Sequence, residues 1–202
     1  ERFFFELQDT EDSEQFSLVR LKGAEEISAL FDIAVEVVSD DGDIDFSTLI
    51  GQPAFVTLLD QTDGSEELTR YIHGMIAEVS LGDQGVNQSS YHIRLVPKIW
   101  ALQHRQNSRI FQFQNVQTII EAVLTDAGLD ADEFRFDLAK SYPDYDYCVQ
   151  YRETELDFIQ RLLAEEGIHY YFEHSDESHV AVFSDASSSN PAISGDPQLD
   201  CY

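Results

Sequence analysis

The sequence predicts a mainly β protein with an α+β part, and three observations support this. Before Pro97, apolar residues alternate with polar ones in several short segments, as in strands with one buried face. After Pro97, two segments repeat apolar residues every three or four positions, as amphipathic helices do. With 202 residues, 43% of them hydrophobic, the chain can form one large packed domain or two small ones. We therefore expect one unit at residues 1–97 and a second at residues 98–185.

The predicted strands of the first unit lie between turn signals. They cover residues 16–21, 31–37, 54–59, 71–81 and 91–95. Gly74, inside the fourth of them, predicts a bulge or a close approach of another chain segment. Residues 82–85, which include two glycines, predict the turn after that strand. Several strands without a helical period indicate a small barrel or a sandwich.

Helices and strands are both predicted in the second unit. The first helix follows an N-cap at Asn115 and ends at Gly128, and the second follows an N-cap at Thr154 and ends at Gly167. Strands are predicted at residues 134–138, 147–151, 168–173 and 180–183, the last two as a hairpin. The buried-strand position of Cys148 indicates a small core residue rather than a disulfide partner.

The last residues differ in composition from both units. Residues 186–202 are rich in Ser, Asn, Pro and Gly and contain few apolar side chains. Such a composition predicts a linker, or the start of a further segment. We therefore expect the natural protein to continue beyond it.

The charge of the chain excludes two classes of partner. Lys and Arg number 12 against 39 Asp and Glu, which gives a net charge of −27. Binding to nucleic acid requires clustered cations that contact phosphates, and binding to anionic lipid requires a basic surface. We expect neither nucleic-acid binding nor stable membrane binding.

The sequence carries no motif typical of catalysis or of a cofactor. The zinc-protease, nucleophile-elbow, P-loop and dinucleotide-binding patterns do not occur in it. We expect no catalytic residues, no cofactor and no enzyme activity, although a serine or cysteine nucleophile without a local signature remains compatible with the sequence. An acidic carbohydrate hydrolase remains an alternative of another class, and it would need two carboxylates across a cleft.

Two sets of side chains could in principle bind a metal, and neither fits a full motif. Asp41, Asp43 and Asp45 have the spacing that opens a calcium-binding loop, but Phe46 and Gln52 replace the Gly and Glu of that loop. These two mismatches favour an acidic loop between strands, and a calcium-stabilised binding module is the alternative. The second set lies near the predicted hairpin and lacks a tight ligand spacing: it consists of His169, His174 and His179. We predict no metal site.

One stretch is basic within an otherwise acidic chain. Four of the 12 cations fall within sixteen residues, with two aromatic residues among them. The six residues are Arg94, Lys98, Trp100, Arg105, Arg109 and Phe111. One interpretation is a domain junction whose cations pair with nearby acids, and the other is a protein–protein interface, where Arg and Trp are enriched.

Two long segments resemble one known family. They are WALQHRQNSRIFQ at residues 100–112, with the helix that follows, and YCVQYRETELDFIQRLLAEEGIHYYFEH at residues 147–174. Residues 46–58 and 72–74 fit the same family. Together they resemble the N-terminal hub region of VgrG proteins, which form the spike of the bacterial type VI secretion system. The resemblance covers nearly all of residues 1–185.

The resemblance implies a fold and a mechanical role. It implies a small antiparallel β-barrel followed by an α+β domain with two helices, as in the hubs of contractile phage tails. It also implies a homotrimer that joins a trimeric spike to a hexameric tail tube, and contacts with baseplate components and effectors. The protein would assemble in the cytoplasm and then be injected. No hub residue of the family is catalytic, although some members carry enzymatic C-terminal extensions. A hub of a phage or phage-like contractile tail is the close alternative.

Overall fold

The structure, a computed structural model, describes residues 2–8, 16–62 and 65–186. Up to Val96, the described residues form a six-stranded sheet in which all neighbouring strands are antiparallel. Its strands are β1 (Arg2–Leu7), β2 (Ser17–Ala24), β3 (Asp32–Ser39), β4 (Pro53–Thr62), β5 (Ser65–Gln84) and β6 (Ser89–Val96). A short helix, α1 (Phe46–Leu49), lies between β3 and β4.

The sheet curls until its two outer strands approach each other. The strand order is β1-β4-β5-β6-β3-β2, so β1 and β2 are the edges and, within the described residues, are not paired. Phe5 of β1 nevertheless contacts Phe16, just before β2, with ring centroids 5.8 Å apart. The alternating apolar residues of β3, Ile33, Val35 and Val37, are all buried inside the curl. The prediction of a mainly β fold that begins with a small antiparallel barrel is confirmed, and the sheet forms an open half-barrel.

The two glycines of β5, Gly74 and Gly82, both lie where a neighbouring strand comes close. The predicted turn at residues 82–85 is wrong, because β5 continues to Gln84 and the chain reverses at Gly85, whose N–H donates to the carbonyl of Gln88. A Cβ at Gly82 would lie only 2.4 Å from Oγ of Ser90, so crowding between strands explains this glycine. At Gly74 the neighbouring strand comes close, as predicted. A Cβ added at this position would lie 3.1 Å from the carbonyl oxygen of Val96.

Beyond Pro97, the described residues form a mixed α+β unit. Its elements are a 3₁₀ helix (Lys98–His104), β7 (Gln106–Phe111), α2 (Val116–Asp126), β8 (Phe134–Asp137), β9 (Cys148–Thr154), α3 (Glu155–Glu166), β10 (His169–His174) and β11 (His179–Ser184). In this unit β7 and β9 form an antiparallel ribbon, while β10, β11 and β8 form a three-stranded sheet in which β8 is parallel to β11. The predicted hairpin and both helices are confirmed, whereas the 3₁₀ helix and β7 were not predicted.

Local capping explains where the two long helices begin and end. The side chain of Asn115 accepts a hydrogen bond from the Thr118 N–H, and Thr154 accepts one from the Asp157 N–H. Each bond satisfies a backbone donor that has no partner inside the helix. Gly167 ends α3 with a φ of 70°, a left-handed conformation that glycine adopts without steric cost.

Buried apolar side chains form two clusters, one inside the curled sheet and one around α2 and α3. Phe172 of β10 packs against both. The two clusters support the predicted boundary near Pro97, which stays a prediction. The predicted linker at residues 186–202 lies almost wholly outside the described residues, as does Cys201. None of the helices in the described part of the chain has the length and apolar character required to cross a membrane.

Candidate functional site

The two clusters meet at a group of buried and partly buried rings that we call the histidine junction, formed by Phe31, His73, Phe172, His174 and His179. The Phe31 ring centroid lies 5.0 Å from that of Phe172, 5.0 Å from that of His174 and 5.7 Å from that of His179, all in edge-on geometry. Phe31 is only 1% exposed. The hairpin formed by β10 and β11 is therefore held against the curled sheet by these rings.

A chain of hydrogen bonds runs through the junction. The backbone N–H of Lys98 donates to Nε2 of His179 at 2.9 Å, and the Nδ1 atoms of His179 and His73 are 2.9 Å apart. Nε2 of His73 lies 2.7 Å from Oε1 of Gln8, and Nε2 of Gln8 donates to the carbonyl of Glu177 at 2.9 Å. The chain of bonds thus leaves the hairpin at His179 and returns to it at Glu177.

The fixed backbone donor determines the proton position on two rings. Because the Lys98 N–H can only donate, Nε2 of His179 is an acceptor and its proton lies on Nδ1. That proton is donated to Nδ1 of His73, whose own proton therefore lies on Nε2 and is donated to Gln8. A second proton on either ring would place a donor against a donor. His73 and His179 are therefore both neutral in this arrangement.

His174 differs from the other two histidines. Its Nδ1 lies 3.1 Å from both the N and the O of His73, so it can accept from one or donate to the other. Its Nε2 is 2.9 Å from a carboxylate oxygen of Glu25, which also pairs with Arg70. Burial raises the pKa of Glu25, but the hydrogen bonds and charges of His174 and Arg70 outweigh burial and lower that pKa overall. This ring has partners for two protons.

The pKa values of the two neutral rings agree with their hydrogen bonds. Burial, followed by the charge of His174, lowers the pKa of His73 from 6.5 to about 4. Burial, followed by the charges of His73, His174 and Lys98, lowers the pKa of His179 from 6.5 to about 3. Both rings thus resist protonation in the folded protein.

The sequence did not single out His73 as a member of this group. Of the three histidines considered as zinc ligands, His174 and His179 lie in the junction, and His169 stacks on Tyr171 outside it. His73 is about a hundred residues from His174 and His179 in sequence. In the sequence it stands out only as part of residues 72–74, which fit the family pattern. Within the described residues, no group of three or more His, Cys, Asp or Glu side chains is arranged to hold a metal ion. The calcium-like acids lie in a loop, where Asp45 caps α1 by accepting from Ser47.

The cations of the basic stretch all pair with carboxylates. Arg94 makes a bidentate pair with Asp32 on the neighbouring strand, and its guanidinium lies 5.8 Å from the centre of the Trp100 ring. Lys98 pairs with Glu133 at 2.6 Å. These pairs do not cross between the two clusters, since Asp32 lies in the curled sheet with Arg94 and Glu133 follows α2.

The remaining two arginines surround one buried carboxylate. Glu155, the first residue of α3, is fully buried and pairs with Arg105 at 2.6 Å and with Arg109 at 2.7 Å. Both arginines also reach Asp126 at the end of α2, so two positive charges face two negative ones. Hydrogen bonding to Glu155 raises the pKa of Arg105. The pairs join the start of α3 to the end of α2.

The structure thus divides the six residues of the basic stretch into small groups. Arg94 contacts Trp100, Arg105 and Arg109 share Glu155, and Phe111 stacks on Phe158 of α3 with ring centroids 5.7 Å apart. Lys98 stands apart, beside a cavity of about 300 Å³ that His73 and His179 also line. A role of these six residues in a protein–protein interface stays a prediction.

The buried carboxylate gives a first test. Glu155→Gln removes the charge that two arginines neutralise, and we expect the free energy of unfolding to fall by about 2 kcal/mol, measured by urea denaturation. Glu165→Gln is the matched control, because Glu165 makes an exposed pair with Arg161 whose loss should cost no more than about 0.5 kcal/mol. Equal effects of the two substitutions would contradict the structural role of Glu155.

The histidine junction gives a second test, in its pH dependence. The unfolded chain binds protons near the ordinary histidine pKa of 6.5, whereas folded His73 and His179 bind them only near about 4 and about 3. The contribution of these two rings to the free energy of unfolding is therefore fully present above about pH 6.5. It is lost as the pH falls from there towards the folded pKa values. The slope between about pH 6.5 and 5, where most carboxylates remain ionised, should reach at most about 1.4 kcal/mol per pH unit for each histidine.

Variants at two histidines separate the junction from general acid effects. His179→Gln should flatten the slope of unfolding free energy against pH, while His92→Gln, at an exposed position, should leave it unchanged. A wild-type stability that stays constant over this pH range would show that the two rings do not remain neutral in the fold.

Comparison with known proteins shows which family this chain resembles. Residues 24–202 match the family described as phage tail baseplate hub (GPD). Among curated proteins, the chain is 39% identical over 168 residues to the type VI secretion system spike protein VgrG4b of Pseudomonas aeruginosa, a match that covers 83% of this chain and 20% of that protein. It is 38% identical over 189 residues to VgrG1c of the same organism, with 94% of this chain and 25% of that protein covered.

The fold has a counterpart among solved structures. The structure of the E. coli c3393 protein, a component of the type VI secretion system described as similar to the T4 bacteriophage tail proteins gp27 and gp5, superimposes with a TM-score of 0.79. The match has 24% identity and covers 91% of this chain and 49% of that one, so it shows a shared fold. This chain spans only about a fifth to a quarter of the two VgrG relatives. Because the family match extends over most of its length, the chain belongs to the phage tail baseplate hub family.

Proposed function

We propose that this chain forms part of the hub of a type VI secretion spike and that its role is structural. The observation that carries the proposal is the 38–39% identity, over most of the chain, to proteins named as type VI spike proteins. The curled antiparallel half-barrel, which the E. coli type VI component shares, agrees with it. In this role the chain would join a trimeric spike to a hexameric tail tube.

The open edges of the half-barrel support assembly with other chains. Within the described residues, β1 and β2 are the outermost strands of the sheet, so each has one side without a strand partner. Exposed edges pair readily with other strands, and proteins cover them or use them in assembly. We propose that the full-length protein is a homotrimer in which such contacts close into a ring.

The histidine junction is consistent with a protein that transmits mechanical force. A hub has to transmit the push of a contracting sheath from the tube to the spike without a change in shape. Residues 1–97 would contact the tube as a barrel, and residues 98–185 would be the α+β domain beside it. The directional bonds between His73 and His179 and the rings around Phe31 would hold the two at a fixed angle.

The remaining partners and the location follow from the same role. We propose that the hub assembles in the cytoplasm with the tube and baseplate components, carries effectors in some cases, and is then injected with the spike. No step of this role requires catalysis by these residues. The relatives reported above are named as spike proteins, so the carbohydrate hydrolase alternative has no support from them.

A second candidate is the hub of a phage or phage-like contractile tail. The description of the matching family as a phage tail baseplate hub favours it. The two candidates share the fold and the mechanics, and they differ in the particle that the hub serves. The named VgrG relatives favour the type VI particle.

The proposal is tested by the solution mass of the full-length protein and by its binding to the tube. Light scattering on a size-exclusion column, in salt that screens the charge of −27 that these 202 residues contribute to each chain, should give three chains per particle. The purified tail-tube protein of the same organism should co-elute with it, while the tube protein of an unrelated contractile system serves as the control. A single-chain mass with no co-elution would refute the hub role.

A further inference from the structure

The ribbon formed by β7 and β9 covers α3 with one face and leaves the other face open. Phe111 stacks on Phe158 on the covered face. On the open face, Ile110, Tyr147 and Tyr151 are 58%, 56% and 66% exposed. Ile110 pairs with Val149 across the ribbon, so Tyr147 and Tyr151, two positions away on either side, are its diagonal neighbours. Phe113, just after β7, is 72% exposed.

Two residues at this face have a strained backbone. Phe113 has a φ of 53° and Arg152 a φ of 52°, two of the three non-glycine residues with positive φ in the described part of the chain. Both residues make hydrogen bonds through their backbone: the Phe113 N–H donates to the carbonyl of Tyr145 at 2.9 Å, and the side-chain amide of Gln106 donates to the carbonyl of Arg152 at 3.0 Å. Residues kept in this region against its cost cluster at functional sites.

Arg152 also lies at a β-bulge, and a bulge changes the direction in which a side chain points. Asn107 pairs with Glu153 and Ser108 with Tyr151, so Arg152 has no opposite residue in the ribbon. Its guanidinium lies 5.3 Å from the centre of the Tyr151 ring. Bulges of this kind re-aim a side chain.

The charge of Arg152 has no partner within the described residues. Eight other Lys or Arg side chains form ion pairs with carboxylates there, whereas no described carboxylate lies within 4 Å of the Arg152 guanidinium. In a chain with 39 acids, such an exposed cation is available to an anion from outside. We call Ile110, Phe113, Tyr147, Tyr151 and Arg152 the ribbon patch.

A surface of opposite character lies between β2 and β3. The third non-glycine residue with positive φ, Ser28, has a φ of 61° and donates its N–H to the carbonyl of Tyr170 at 2.8 Å. Ile27 beside it is 66% exposed, and Glu26 is exposed without a cation partner in the described residues. A cavity of about 230 Å³ opens at this loop and is lined by Glu25, Glu26, Arg70 and three aromatic rings. Arg70 pairs with Glu25, so among the described residues the unpaired negative charge of the loop is that of Glu26. We call Glu25, Glu26, Ile27 and Ser28 the acidic loop.

We propose that the ribbon patch of one copy docks on the acidic loop of a second copy, with Arg152 facing Glu26 and the aromatic side chains covering Ile27. The proposal rests on the proposed function and adds a contact to it. Two copies that each carry −27 repel each other, so a contact between them needs local complementary charge. A contact of the ribbon patch with itself would bring two Arg152 side chains together. The contact is therefore between different surfaces, and such contacts can close into a ring.

A charge swap in the full-length protein tests the contact. Arg152→Glu and Glu26→Arg each place like charges together and should raise the trimer dissociation constant roughly thirtyfold, as loss of a hot-spot residue does. The double variant restores an opposite pair and should recover most of the wild-type affinity. Light scattering over a dilution series measures the dissociation, and circular dichroism confirms that each variant is folded.

The control and the outcomes separate this contact from the hub role. Lys140→Glu makes the same change of net charge at another exposed cation and should leave the trimer intact. A trimer unaffected by Arg152→Glu, or a double variant no better than the single ones, would overturn the contact while the hub role stands. The same holds if Arg152→Glu weakens only binding of the tube protein. A wild-type protein that stays a single chain would overturn both.

Discussion

The proton that His179 donates to His73 connects the curled sheet to the α+β unit, and much of the structure depends on it. The bond exists only because the Lys98 N–H occupies the other nitrogen of His179 and Gln8 accepts from the other nitrogen of His73. Each of these groups lies on a different element, so the elements must all be in place for the bonds to form. The aromatic edges around Phe31 pack against this group, and their apolar surroundings strengthen its hydrogen bonds.

The acidic composition explains how the few cations are used. Arg105 and Arg109 make it possible to bury Glu155 at the start of α3, and Arg94 joins two strands through Asp32. Most cations are therefore engaged inside the chain, which leaves its surface strongly negative. Under those conditions Arg152, which lies at a bulge and has no carboxylate partner among the described residues, has an effect on association that it would lack in a neutral protein.

Local physics made much of the fold predictable. The alternation in β3 and the caps at Asn115 and Thr154 depend on neighbours in sequence, and the structure has them where the pattern placed them. The junction was not predictable, because it joins His73 to side chains about a hundred residues away. The turn assigned to residues 82–85 failed because crowding between strands, rather than chain reversal, requires Gly82. The left-handed backbone of Arg152 is likewise imposed across the ribbon.

The most direct test of the account is the protonation of the junction histidines, read from the ring-nitrogen chemical shifts of the ¹⁵N-labelled protein at neutral pH. We expect a neutral His179 protonated on Nδ1 and a neutral His73 protonated on Nε2, each as a single tautomer. A charged ring at either position, or the opposite tautomer at either, would contradict the hydrogen-bond chain that joins the curled sheet to the α+β unit.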